Sequence, residues 1–210
     1  MNKKEWRRNI GAIKKYFDEY ISKGLFNMDF IGSKKEYYSG GRCHSRVLGI
    51  LVQSFQSMGF ITDIERRVKF SKPYKPPQHK RKQFGFKPDI TVVNEYDEII
   101  GIIEYETIDG SNEHLLRKKI DYFDYCLPEN KSVEFIVYFP TLTTLKKKPN
   151  SWVKLNRQKL KQPIANKLIE LSAKYPNVDI VYLILDENGF SSKIIKKGTI
   201  EDESTHYIWN

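Results

Sequence analysis

The sequence predicts an α/β domain built on a central mixed β-sheet flanked by helices, with one extra helix at the N-terminus. Three observations carry this reading. Apolar residues recur at helical spacing ahead of the β-rich centre, the stretch DITVVNEYDEIIGIIEYE has the form of a hairpin, and the later apolar runs VEFIVYF and VDIVYLIL alternate with helical segments. Strands separated by helices pair in parallel and need cover on both faces, whereas a hairpin pairs antiparallel; together they make a mixed sheet.

Taken in order, Trp6, Ile10, Ile13, Phe17, Tyr20 and Ile21 follow the three-and-four spacing of an amphipathic helix, which forms a helical extension over 1–38. The α/β domain then spans 39–210. Its first helix carries Val47, Leu48, Leu51, Phe55 and Met58 on one face and stops at Gly59, and FITDIERRV follows as a first strand. From Arg66 to Lys87 the chain holds three prolines, many cations and no acid, the pattern of a long exposed basic loop. After the central hairpin, Ser111 can cap a helix through Leu116, Ile120, Phe123 and Leu127, which Pro128 closes. VEFIVYF is a buried strand and Lys146-Lys147-Lys148-Pro149 a turn. A helix runs from about Trp152 to Lys174 with a break or restart at Pro163, and VDIVYLIL is the last strong strand.

Composition narrows the partners. The 210 residues carry 36 Lys plus Arg against 26 Asp plus Glu, a formal charge of +10 that suits a polyanion such as DNA. No apolar stretch approaches the ~20 residues of a spanning helix, and MNKKEWRRNIGAIKKYF lacks the apolar run of a signal peptide, so an intracellular, cytoplasmic protein without membrane attachment is expected. Cys43 and Cys126 give neither a metal-ligand spacing nor a disulfide framework and read as reduced thiols. Richness in lysine, isoleucine and tyrosine fits an AT-rich genome such as that of a virus or mobile element.

The chemistry gathers in the hairpin. Centring its turn between Tyr96 and Asp97 sets Asp89 opposite Glu104 on one face of the sheet; Glu106 and Lys87 share that face by alternation. Ile99, Ile100, Ile102 and Ile103 fill both faces behind them. Three carboxylates held together repel one another, so they must take up protons or hold a cation. Mg²⁺, a hard ion that keeps several waters, is the natural occupant, with Mn²⁺ as a substitute. Such an ion activates a bound water against a phosphodiester, and the basic segment leading into Asp89 would hold the phosphate backbone.

Pro88-Asp89, then Glu104-Tyr105-Glu106, then a helix with basic residues resembles the PD-(D/E)xK nuclease superfamily, which includes archaeal Holliday junction resolvases and many restriction enzymes. GGRCHSRVLGILVQSFQSMGF is similar to the helix that opens those restriction-endonuclease-like folds, and the likeness covers roughly residues 40–140. The resemblance implies a metal-dependent endonuclease acting on DNA. Asp89, Glu104 and Glu106 would be catalytic residues and metal ligands, and Arg66, Arg67, Lys69, Lys80, Arg81, Lys82, Lys87 and Lys118 would contact nucleic acid. Branched DNA is the favoured substrate and a homodimer the favoured assembly.

Two positions depart from the family pattern. Glu106 stands where a lysine is usual, so Lys87 or Lys118 would have to supply the cation. The opening helix has His44-Ser45-Arg46 where resolvases carry a glutamate, with Glu65 as a stand-in. His44 itself reads as a cap or surface residue, the alternative being a phosphate contact made together with Arg46. The alternatives are a nuclease-fold DNA-binding protein without catalysis and a sequence-specific restriction nuclease.

Overall fold

The computed structural model describes residues 40–75, 82–108, 113–142, 145–148, 151–153, 157–186 and 189–206. The helix expected from Trp6, the extension over 1–38 and the Ser111 cap lie outside them. The architecture is α/β, with a seven-stranded mixed sheet in the order β1-β4-β5-β6-β9-β10-β11. Its strands are β1 (Ile61–Ile64), β4 (Ile90–Val93), β5 (Ile99–Ile108), β6 (Phe135–Leu142), β9 (Asp179–Asp186), β10 (Gly189–Lys196) and β11 (Thr199–His206). The central strands β5, β6 and β9 run parallel; the pairs outside them are antiparallel.

Helix α1 (Gly40–Ser57) covers one face of the sheet. Val47, Ile50, Leu51 and Phe55 pack on Ile90, Ile103, Phe135, Val137 and Val181. Gly59, in the left-handed region at φ 85°, turns the chain out of this helix into β1. The opposite face takes α2 (Glu113–Cys126) and α3 (Arg157–Lys174), with Ile120, Phe123, Ile164 and Leu168 on Ile102, Ile136, Tyr138 and Ile180. Each central strand thus alternates its side chains between two cores. Lys167 pairs with Asp121 at 3.0 Å and Lys174 with Asp124 at 2.6 Å, joining α3 to α2. No helix among the described residues is long and apolar enough to cross a membrane.

Five segments differ from expectation. The run FITDIERRV is two pieces, because Glu65 takes a left-handed conformation at φ 54° and ends β1 at Ile64. The basic stretch is not simply a loop: β2 (Val68–Tyr74) and β3 (Gln83–Phe86) form a second sheet. Its inward Val68, Phe70, Tyr74 and Phe86 are buried against Tyr122 of α2, and this alternation of aromatic with polar residues outweighs the charge. Lys146–Lys148 belong to β7 (Leu145–Lys148), paired with β8 (Ser151–Val153). Helix α3 then begins at Arg157 and runs through Pro163, which as its seventh residue forfeits one N–H bond to the carbonyl four residues back without ending the helix. Beyond β9, the β10–β11 hairpin extends the sheet by two strands, and positive-φ Lys197 and Gly198 form its turn.

Candidate active site

The hairpin register places the site. Ile90 pairs with Ile103, Thr91 with Ile102 and Val92 with Gly101, the alignment the sequence predicts, and a bulge after Val92 absorbs the offset at the turn. Carried one step back, this register sets Asp89 beside Glu104 at the mouth of β4. The backbone N–H of Asp89 donates to Glu104 Oε2 at 3.2 Å, and that of Tyr105 donates to Asp89 Oδ2 at 2.8 Å. Each carboxylate is therefore gripped by the strand that carries the other. The Glu65 N–H donates to the Asp89 carbonyl at 3.1 Å, so Glu65 serves this site through its backbone while its side chain is exposed.

Two basic side chains complete the arrangement, and neither is the one expected. Lys119 of α2 donates to Glu104 Oε1 and lies 3.8 Å from Glu106 Oε2. Its neighbour Lys118 instead sits over the Tyr122 ring at 5.4 Å, and Lys87 is exposed. His44 of α1 donates from Nε2 to Asp89 Oδ1 at 3.1 Å, with its ring 5.3 Å from that of Tyr105. It is neither a cap nor a bare surface residue.

Sequence signals for both were present. His44 continues the stripe Val47, Leu48, Leu51 by one turn, and Lys119 occupies the inward stripe with Tyr122, Phe123 and Cys126. A polar residue on an apolar stripe needs a partner where that stripe meets the sheet.

The electrostatics follow from burial. Glu104 is 1% exposed, and burial pushes its carboxyl up to about 8; Lys119 pulls it back, and the charges of Asp89 and Glu106 push it further up. Burial also raises Glu106, opposed by Lys119 and His44 and reinforced by Asp89. Burial alone would lower Lys119, yet Glu104, Glu106 and Asp89 together hold it above the usual lysine range. His44 is raised by its hydrogen bond to Asp89 and by the surrounding carboxylates, against the opposing effect of burial. Three carboxylates face one lysine and one histidine, so the cluster retains unbalanced negative charge and favours proton or cation uptake.

Of the candidate nucleic-acid contacts, Lys80 and Arg81 lie outside the described residues. Arg67, Lys82 and Lys87 line a cleft beside the site, together with Lys119. Lys69 is exposed on β2, paired with Gly85, and does not itself line that cleft. Arg66 forks onto Asp97 at 2.6 Å and Asp63 at 3.0 Å, fastening the central hairpin's turn to β1.

No family model and no curated protein matches the chain. Among solved structures, the YaeQ protein from Xanthomonas axonopodis pv. citri is similar over 64% of this chain and 66% of that one, at 10% identity and a TM-score of 0.22. A likeness that slight carries no argument about fold or function.

Proposed function

We propose that the chain is a metal-dependent endonuclease that hydrolyses DNA phosphodiester bonds, with Asp89 and Glu104 as the residues that would hold Mg²⁺ or Mn²⁺. The observation that carries this reading is the convergence of Asp89, Glu104 and Glu106 around Lys119 at one end of the central hairpin. The donor set suits a hard cation, since Mg²⁺ takes one or two carboxylates and keeps several waters. Among the described residues no group of three His, Cys, Asp or Glu side chains is placed to hold a metal ion, so Asp89 and Glu104 would hold it as a pair, with water completing its shell.

When bound, the ion would activate a water and neutralise charge on the scissile phosphate. The protein's own groups do the rest. Tyr105 N–H and His44 fix both oxygens of Asp89. Glu106, held above the ordinary carboxylate range, accepts a proton from the attacking water more readily than an exposed glutamate would. Lys119 takes the place of the lysine that the family carries at the Glu106 position, reaching the same carboxylates from the helix. Arg67, Lys82 and Lys87 supply the positive surface for the backbone.

Branched DNA is the preferred substrate class and a homodimer the working assembly. The test incubates wild type and Asp89→Ala with linear duplex, single strand and junction in Mg²⁺, Mn²⁺ or EDTA. Metal-dependent cutting lost in the variant supports the reading, and faster junction cutting supports branch selectivity. Binding of all three substrates without cutting under any condition overturns catalysis and leaves a DNA-binding protein. Light scattering should return twice the chain mass.

A further inference from the structure

The cleft beside the carboxylates has a volume of about 390 Å³ and a composition that nuclease chemistry alone does not require. Its walls carry Arg67, Lys82, Lys87 and Lys119, with no acid among the lining residues. Between these cations stands Phe84, 59% exposed. Phe86, two residues on, is buried against Tyr122 of α2, whereas Phe84 stays open to solvent at the cleft wall. A lone exposed phenylalanine is ordinary. An aromatic face set among four cations, in a cleft that shares Lys119 with Glu104, is a pairing of features that matches a nucleotide, with its flat base and its phosphate.

We infer that this cleft receives an unpaired nucleotide of the DNA strand, its base stacked on Phe84 and its phosphates on Lys82, Lys87 and Arg67. In a duplex both faces of each base are covered by neighbours, so an aromatic platform gains nothing from paired DNA. An unpaired base offers its face freely, and stacking of this kind tolerates any sequence. The cleft lies at the small end of the ~300–1,000 Å³ range of ligand pockets, room for a single flipped or single-stranded unit rather than a helix. Tyr122 donates its hydroxyl to Gln83 Oε1 at 2.7 Å, tying β3 to α2 and keeping the platform in place relative to Lys119. The inference rests on the nuclease reading for its location, and it narrows the substrate to DNA with an unpaired segment next to the scissile bond.

Binding without cleavage tests it. Full-length protein in EDTA is titrated by fluorescence anisotropy against labelled oligo(dT), oligo(U), a blunt hairpin duplex and the same duplex with a single-stranded tail. In Phe84→Ala, affinity for oligo(dT) and for the tailed duplex should fall at least about fivefold. Affinity for the blunt duplex should change less than twofold, and Phe84→Trp should restore the loss. Lys87→Ala should reduce the salt slope of single-strand binding by about 0.7. Equal loss on paired and unpaired DNA, no loss on either, failure of wild type to bind oligo(dT), or tighter binding of oligo(U) than oligo(dT) would each overturn the proposal. Cutting in Mg²⁺ is scored separately. A protein that cuts nothing yet loses unpaired DNA in Phe84→Ala keeps the cleft and loses the nuclease; one that cuts but ignores Phe84→Ala does the reverse.

Discussion

His44 Nε2 lies 3.1 Å from Asp89 Oδ1, so the helix on one face of the sheet reaches the carboxylate whose partner, Glu104, is held by the helix on the other. The first prediction follows from this contact. The hydrogen bond to Asp89, with the surrounding carboxylates, raises the His44 pKa above the ordinary histidine value of 6.5. The stabilising charge is fully present below about 6.5 and is lost as pH rises through the higher folded value. His44→Asn should therefore unfold at lower temperature than wild type in mildly acidic buffer, with the gap closing toward alkaline pH. A cation at Asp89 should also lower the His44 pKa, read by NMR titration of the imidazole with and without Mg²⁺. A His44 pKa indifferent to Mg²⁺ would remove Asp89 from the ligand set.

Lys119 has two separable duties. Removing one partner of a buried ion pair commonly costs about 3–5 kcal/mol; here proton uptake by Glu104 caps the loss toward the lower end. Lys119→Met should lower Tm and reduce Mg²⁺-dependent cutting by about 10²-fold, the size expected for loss of an electrostatic catalytic group. Adding Glu104→Gln removes the orphaned carboxyl, so the double variant should regain most of the Tm but none of the cleavage. Recovery of both would remove Glu104 from the ligand set and Lys119 from catalysis together.

The parts of this site that were legible share one property: they depend on local periodicity. The hairpin, its register at Asp89 and Glu104, and the buried isoleucines behind them follow from alternation along a single stretch of chain. What escaped requires two elements to meet. Choosing Lys119 over Lys118 needs the azimuth of α2 on the sheet, which differs by about 100° between successive residues of a helix. Placing His44 against Asp89 needs the crossing of α1 over β4. The β2–β3 hairpin was masked differently, since nine cations in the segment obscured the alternation of Val68, Phe70, Tyr74 and Phe86. In β11, TIEDESTH is polar almost throughout, and an edge strand paired on one side needs no apolar run to form.

Glu104 makes stability depend on pH and on metal together. Burial pushes its folded pKa up to about 8, above the ordinary glutamate value of 4.5. The folded state thus binds more protons between those values, and this contribution is complete below about 4.5 and lost as pH rises through about 8. In EDTA, wild-type Tm should decline across that window more steeply than the Tm of Glu104→Gln. At pH 8.5, Mg²⁺ at 100 times its Kd would contribute about 2.7 kcal/mol, a rise of roughly 5–10 °C for a chain of this size. That rise should vanish in Asp89→Ala and Glu104→Gln. A Tm unmoved by Mg²⁺ or Mn²⁺ in wild type would argue against cation binding at this pair.

The strand that carries Glu104 is itself held by a close approach at Gly101. A Cβ on Gly101 would run into the ring of Phe135 on the neighbouring strand β6. That ring cannot swing away easily, because it is 2% exposed, stacks on Phe55 with centroids 6.0 Å apart, and meets Phe60 at the same separation. Overpacking of this kind costs about 1–3 kcal/mol, so Gly101→Ala should lower Tm by roughly 2–12 °C. Phe135→Leu should also destabilise, by opening a cavity between α1 and the sheet. If the clash is the cause, the two losses will not add: Gly101→Ala should cost markedly less in the Phe135→Leu background, a coupling that a double-mutant cycle measures directly. Strict additivity would instead place the cost of Gly101→Ala in the backbone of β5, at the bulge after Val92, and would predict a matching loss of cleavage through displacement of Glu104.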